Sequence, residues 1–270
     1  MKIVHRISFR ASDKQLQELK FLGVNVPPGA LLPGDSDPFV GFDVDEDHPN
    51  WGILSGLFEK WGVSDAVGTK FSKQEIRSAR HSVLLPEWHH GYPQPDDLNF
   101  GYLQATYDLT NYCAECGTGL VQSAPFQMRG EPKWGRRGIM QLNWVFDEYF
   151  VTPEVWGGIF SPFGVEARPV NDVKGNTLKT VVQLVIPEVV GIRDDGLAKE
   201  ACPRCNRMKY SPEVRGFFPP LAEEPASAIS KTIEYFGSGG SAHKAVVVSH
   251  ALAMSMMDAN LKGVSFRPVA

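Results

Sequence analysis

The chain's four cysteines, Cys113, Cys116, Cys202 and Cys205, all stand in Cys-x-x-Cys pairs, and no spacing in the sequence constrains the fold more. A Cys-x-x-Cys turn places two sulfurs on one side of a tight loop, at the separation that tetrahedral zinc asks of two of its four ligands. The residue after the second cysteine usually turns with positive φ, so that backbone N–H groups can point at the thiolates. Gly117 does this without steric cost, and Asn206 is the non-glycine type that tolerates the left-handed region best. Both loops therefore read as zinc knuckles. Yet 85 residues separate Cys116 from Cys202, far more than the ~15 to 20 of a compact ribbon. The fold must bring the knuckles together, and the expected cofactor is one structural Zn²⁺ shared by all four cysteines.

At 270 residues the chain is near the ~250 to 300 residue limit for a single core and is long enough for two subdomains. Its 20 prolines and 26 glycines point to many short elements and turns, and its net charge of −4 argues against general polyanion binding. Met1-Lys2-Ile3-Val4 runs into His5-Arg6 with no apolar region behind it, so no secretory signal is expected. The longest apolar stretch, Val181 to Ile192, is interrupted by Gln183, Pro187 and Glu188 and is too short to span a membrane. The expected compartment is a reducing cytoplasm, where such cysteine pairs hold metal more often than they form disulfides.

Alternating Ile3, Ile7 and Phe9 predict a strand, after which Ser12 caps a helix carrying Leu16, Leu19 and Leu22 and stopping at Gly23. Phe39 to Val44 reads as a second strand, leading into an acidic stretch with Asp43, Asp45, Glu46 and Asp47 and no lysine or arginine among them. That stretch is either a solvated strand end or a partner-binding surface whose carboxylates face a basic protein. Ile53, Leu54, Leu57, Phe58 and Trp61 recur at helical spacing before Gly62. Ser72-Lys73-Gln74-Glu75 is a capping box, predicting a helix that buries Ile76, Ala79 and Val83 and ends before Pro86. Trp88-His89-His90-Gly91-Tyr92-Pro93 reads as a packed aromatic loop, because adjacent histidines lack the i, i+4 spacing of a helical metal pair.

The second half repeats itself. Phe150-Val151-Thr152, a helix from Pro153, and Gly164-Val165-Glu166-Ala167-Arg168-Pro169-Val170 have a counterpart in Val247-Val248-Ser249, a helix through Leu252 and Met256, and Gly263-Val264-Ser265-Phe266-Arg267-Pro268-Val269. Each copy reads strand, Thr or Ser cap, helix, glycine stop, strand, and each follows one knuckle. Two such units related by a pseudo-twofold would bring both knuckles to a common zinc. The Gly237 to Lys244 run lacks the glycine and lysine of a phosphate loop and reads as a flexible turn. Met254, Met256 and Met257 lie on a helix whose faces cannot all be buried, which leaves part of the group for a contact surface.

Two further readings stay open on the residues alone. Arg129, Lys133, Arg136 and Arg137 near the first knuckle, with Arg204, Arg207, Lys209 and Arg215 after the second, fit either a zinc-ribbon nucleic-acid binder or solvated knuckle edges. Asp43, Asp45 and Asp147 with His48 are candidates for a metal-dependent hydrolase site. No nucleophile elbow, paired-histidine zinc motif or dinucleotide fingerprint appears, so no catalytic residue is assigned.

The paired loops, Cys113-Ala114-Glu115-Cys116-Gly117 above all, and the end from Val248-Ser249 to Gly263-Val264-Ser265-Phe266-Arg267-Pro268-Val269 resemble bacterial double-CXXCG proteins. That family is regarded as immunity proteins of contact-dependent or polymorphic toxin systems, including the swarming-inhibition type. The resemblance covers roughly residues 105–270, with Asn206 where the second motif has glycine. It implies a non-enzymatic protein that binds and neutralises a cognate toxin. The expected architecture is α+β, with short mixed sheets and flanking helices. An N-terminal α/β region over 1–104 would precede a zinc-binding domain over 105–270, duplicated as units of about 105–170 and 180–270.

Overall fold

Period-two alternation at the N-terminus forms the strand it predicts in the computed structural model of the chain, which describes residues 1–31, 33–212 and 214–270. The chain divides into two compact units, Met1–Glu75 with Val214–Gly216, and Ile76–Glu213 with Phe217–Ala270.

The first unit holds β1 (Lys2–Arg10), α1 (Asp13–Phe21), β2 (Phe39–Asp45), α2 (Trp51–Trp61) and β3 (Ser64–Lys70). The sheet order is β2-β1-β3, with both pairings antiparallel. Ser12 and Gln15 form a reciprocal capping box that starts α1, and Gly62 takes the left-handed conformation that stops α2. One sheet face meets both helices in a core of Ile7, Leu19, Val40, Phe42, Leu54 and Phe58. Residues 214–216 join this unit through Thr69, whose hydroxyl donates to the Val214 carbonyl at 2.9 Å and accepts from the Gly216 N–H at 2.8 Å.

The Ser72–Glu75 capping box is formed, with Glu75 Oε2 accepting from both the Ser72 N–H and its hydroxyl at 2.8 Å. The helix it opens, α3 (Lys73–Ser78), is only six residues long and buries none of them. Val83 is therefore not helical, as its spacing predicts, but lies in β4 (His81–Pro86) opposite Val247 and Arg267. The pairing available to a buried Val-Leu run outweighs propagation of a short exposed helix.

The second unit continues with α4 (Tyr102–Thr106), β5 (Tyr107–Asp108), β6 (Val121–Gln122), β7 (Gln127–Met128), β8 (Ile139–Leu142) and β9 (Val145–Val151). Then come α5 (Pro153–Val155), extended by a π turn (Trp156–Phe160) and a 3-10 turn (Ser161–Phe163), then β10 (Ala167–Asp172), β11 (Thr177–Leu184) and β12 (Val189–Val190). The rest is β13 (Lys199–Ala201), β14 (Met208–Tyr210), β15 (Ile229–Thr232), β16 (Tyr235–Phe236), β17 (Val246–Ser249), α6 (His250–Asp258) and β18 (Val264–Pro268). The architecture is α+β with short mixed sheets.

Two five-stranded sheets dominate, ordered β7-β10-β11-β9-β8 and β12-β15-β17-β4-β18. In the first, β9 and β10, linked by α5 and its extension, flank β11, which is antiparallel to both. In the second, β17 and β18, linked by α6, flank β4, again antiparallel to both. Outside β10 lies parallel β7, and outside β18 a parallel bridge joins Phe218 to Val269. The pairing types agree, but the middle strands have different origins. β11 follows β10 through a short turn, whereas β4 comes from far upstream. This places the unit boundary at Glu75 rather than near 104, because β4 belongs to the sheet that holds both C-terminal strands.

The expected caps are in place: Thr152 accepts from Val155 N–H at 3.2 Å and Ser249 from Leu252 N–H at 3.3 Å. Both crossover helices contribute to one core of Val151, Ile159, Phe160, Val248, Leu252 and Met256. Met254 and Met257 are partly buried against it. The Trp88 loop is packed as predicted, with the Trp88 and Trp134 rings edge to face at 5.6 Å and the His90 N–H donating to the Gln141 carbonyl at 3.0 Å. Among the described residues, no helix is long and apolar enough to cross a membrane.

Candidate metal centre

Each knuckle sits at the tip of an antiparallel hairpin. β5 pairs with β6 around Cys113 and Cys116, and β13 pairs with β14 around Cys202 and Cys205. Within the turns the backbone bonds correspond one to one. Gly117 N–H donates to Cys113 O and Asn206 N–H to Cys202 O, both at 2.8 Å. Cys113 N–H donates to Thr118 O and Cys202 N–H to Arg207 O, both at 2.9 Å. Gly117 has φ +79° and Asn206 φ +58°, the left-handed turns that the sequence predicts.

The two knuckles meet. Cys113 Sγ lies 3.8 Å from Cys202 Sγ, Cys116 Sγ lies 3.6 Å from Cys205 Sγ, and all four sulfurs fall within 4.8 Å of one another. These separations are too long for a disulfide, which needs about 2.05 Å, and all four thiols are free. They match the roughly 3.8 Å edge of a thiolate tetrahedron around zinc. Three of the cysteines are buried and Cys205 is partly so.

The acid–base chemistry of the donors points the same way. Backbone N–H groups of Cys116 and Glu115 hold the Cys113 thiol below its ordinary range, against burial. Burial also opposes ionisation of Cys116, but the Thr118 hydroxyl and N–H, together with the Cys205 and Cys113 thiols, outweigh it and bring the thiol down to about 6. At Cys205 the Arg207 N–H favours the thiolate, yet burial and the neighbouring sulfurs of Cys116, Cys113 and Cys202 prevail and push it up to about 11. Thiolates so close repel one another, and a divalent cation among them removes that penalty. Four mutually close sulfurs, three of them on buried cysteines, thus fit a metal ion such as zinc.

The sequence does not reveal that two basic residues of the second knuckle hold the first. Arg207 Nη1 donates to the carbonyls of Asn111 at 2.7 Å and Thr118 at 3.3 Å. Lys209 is 3% exposed and donates from Nζ to the carbonyls of Cys116 at 3.2 Å, Ser241 at 3.4 Å, and Gly239. Were a divalent ion held by four thiolates, both cations would also offset the net negative charge of that group. The acceptors Gly239 and Ser241 belong to the loop read as a flexible turn. That loop is packed on the first knuckle: a Cβ on Gly117 would lie 2.3 Å from the Gly240 carbonyl oxygen.

Three of the other basic residues also have partners within the chain, while Lys133, Arg136 and Arg204 are exposed. Arg129 pairs with Asp96 at 2.8 Å, the Arg137 guanidinium lies 4.8 Å from the Trp88 ring centroid, and Arg215 pairs with Glu46 at 2.6 Å. The acidic stretch is likewise no bare patch. Asp43 bridges Arg6 and Lys70 at 3.1 and 3.0 Å, while Asp45 and Asp47 share Lys2 at 2.9 and 3.1 Å. Glu46 joins buried His5 at 2.9 Å as well as Arg215. Hydrogen bonds from Lys70 and Arg6 lower the Asp43 carboxyl, and those from His5 and Arg215 lower that of Glu46. The cations come from β1, β3 and the 214–216 segment, so the sequence around 43–47 gives no sign of them.

Among the described residues, the four cysteines are the one group of three or more His, Cys, Asp or Glu side chains placed to hold a metal. Asp43, Asp45, Asp147 and His48 are not brought into such a group. Comparison with known proteins finds no matching family model and no matching curated protein.

Proposed function

We propose that the chain is a zinc-stapled, non-enzymatic binding protein of the bacterial cytoplasm, and that it acts as an immunity protein neutralising a cognate toxin. The convergence of two knuckles, 85 residues apart, on one buried four-sulfur site carries this reading. Four protein ligands leave a zinc ion no open position for substrate, so Zn²⁺ here would be structural and its chemistry that of a crosslink. The immunity role rests on the resemblance to double-CXXCG proteins. The equivalent knuckle turns and matching strand pairing also favour descent of the two halves of the second unit from one duplicated element, with β4 taking the middle place that β11 fills in the other half.

In this reading the stretch at Asp43, Asp45, Glu46 and Asp47 meets a basic toxin by exchanging its internal cations for the partner's. Rim charges of this kind mainly speed association. The nucleic-acid reading loses support at Arg207 and Lys209, which are taken up by carbonyls of the first knuckle, and keeps Lys133, Arg136 and Arg204, which are exposed. The test is to express each neighbouring reading frame with and without this chain. One of them should be toxic alone, tolerated with the chain, and recovered bound to it. No toxic neighbour, or a salt-dependent shift of DNA or RNA at submicromolar protein, would count against the proposal.

A further inference from the structure

Inside the second unit lies a cavity of about 460 Å³ whose lining includes Tyr107, Ile186, Tyr235, Arg168, Lys231 and Lys244. That volume is within the ~300 to 1,000 Å³ range of small-molecule sites. One part of the lining is a closed polar network. Glu148 is ion-paired with Lys231, Gln183 donates to Glu148 at 3.0 Å, and Gln122 and Gln183 exchange amide hydrogen bonds at 2.9 and 2.7 Å. Lys231 is thereby neutralised.

Arg168 and Lys244 are not. Among the described residues, neither the Arg168 guanidinium nor the Lys244 ammonium has a carboxylate within ion-pair distance. The Lys244 ammonium sits 5.2 Å from the Tyr235 ring centroid, and the nearby Asp147 carboxylate accepts the Lys244 backbone N–H at 3.2 Å rather than the ammonium. Burial, and then the Lys231 charge, hold Lys244 below the ordinary lysine range. A half-buried cation in this condition gains from an anion, and a guanidinium fork matches a carboxylate bidentately. Asp147, in the same lining, penalises a highly charged ligand, which favours a monoanion. The aromatic and aliphatic side chains provide surface for an apolar body.

We propose that this cavity is a binding site for a small organic carboxylate, its head between Arg168 and Lys244 and its apolar or aromatic body against Tyr107, Tyr235 and Ile186. The site does not depend on the immunity reading, and it would give a toxin-binding protein a small-molecule input as readily as it would serve another role.

The experiment is titration of the zinc-loaded protein with benzoate, phenyl phosphate and benzyl alcohol, followed by calorimetry and by NMR of the cavity residues. Benzoate should bind at about 10 mM or below and perturb signals of Tyr107 and Tyr235. Lys244→Met and Arg168→Met should each weaken it by about tenfold with zinc content unchanged. If Arg168→Met does not fold, Arg168→Lys, which keeps the charge and loses the fork, takes its place. Failure of benzoate to bind, equal binding by the variants, or equal binding of benzyl alcohol would overturn the site. Tighter binding of phenyl phosphate than of benzoate would overturn the monoanion assignment.

Discussion

Replacing Lys209 with methionine keeps an aliphatic stem at a position that is 3% exposed and removes an ammonium that donates to the carbonyls of Cys116, Gly239 and Ser241. The amine ties the first knuckle to the 237–244 loop from a strand next to the second knuckle. A hydrogen bond from a charged donor contributes about 1.5 to 3 kcal/mol, and an unsatisfied buried acceptor costs about 1 to 3 kcal/mol. The variant also escapes the penalty of burying an ammonium, which puts the net loss toward the low end, at about 3 kcal/mol. That is roughly a hundredfold in the unfolding equilibrium. Urea unfolding of the zinc-loaded protein gives the stability, and a metallochromic indicator gives the rate of zinc release, which should rise. A loss below about 1 kcal/mol with unchanged zinc release would refute the claim that Lys209 braces the knuckles.

Gly117→Ala should cost more than about 3 kcal/mol, because its Cβ would lie 2.3 Å from the Gly240 carbonyl oxygen at a residue with φ +79°. Asn206 has φ +58° without such a clash, so Asn206→Gly should be close to neutral and Asn206→Ala should lose about 1 kcal/mol, both read from chemical denaturation. Asp43 and Glu46 have folded pKa values below their unfolded ones. Their contribution is therefore present above the unfolded range near ~4 and lost as pH falls through the lower folded values. Circular dichroism melts should show the thermal midpoint dropping below about pH 4, and Asp43→Asn should make that drop shallower. Asp43→Lys places a third cation beside Arg6 and Lys70 and should lower the midpoint at neutral pH, most at low salt.

What the sequence discloses is local chemistry. The caps at Ser12, Thr152 and Ser249, the helix stop at Gly62, and the left-handed turns at Gly117 and Asn206 follow from properties of single residues or near neighbours. The four-cysteine cluster was legible because thiols at that spacing have few alternatives. Elsewhere, tertiary pairing decides. The spacing of Ile76, Ala79 and Val83 fits a helix, but Val247 of β17 and Arg267 of β18, 164 and 184 residues later, take Val83 into a sheet. Arg207 and Lys209 suggest an outward basic edge, yet their acceptors are carbonyls of other loops, and any residue type can supply a carbonyl. The carboxylates at 43–47 look uncompensated because their cations stand on other strands. Arg168 and Lys244 lie 76 residues apart, and only the cavity relates them.

The central claim is that one zinc joins the two knuckles, and X-ray absorption at the zinc edge on protein purified under reducing conditions tests it most directly. Combined with metal analysis, it should give one zinc per chain and a shell of four sulfurs at about 2.3 Å. Cys116→Ser should replace one of them with oxygen or abolish binding. Absence of zinc from reduced protein, a shell dominated by nitrogen or oxygen, or an intact sulfur shell in Cys116→Ser would contradict the account.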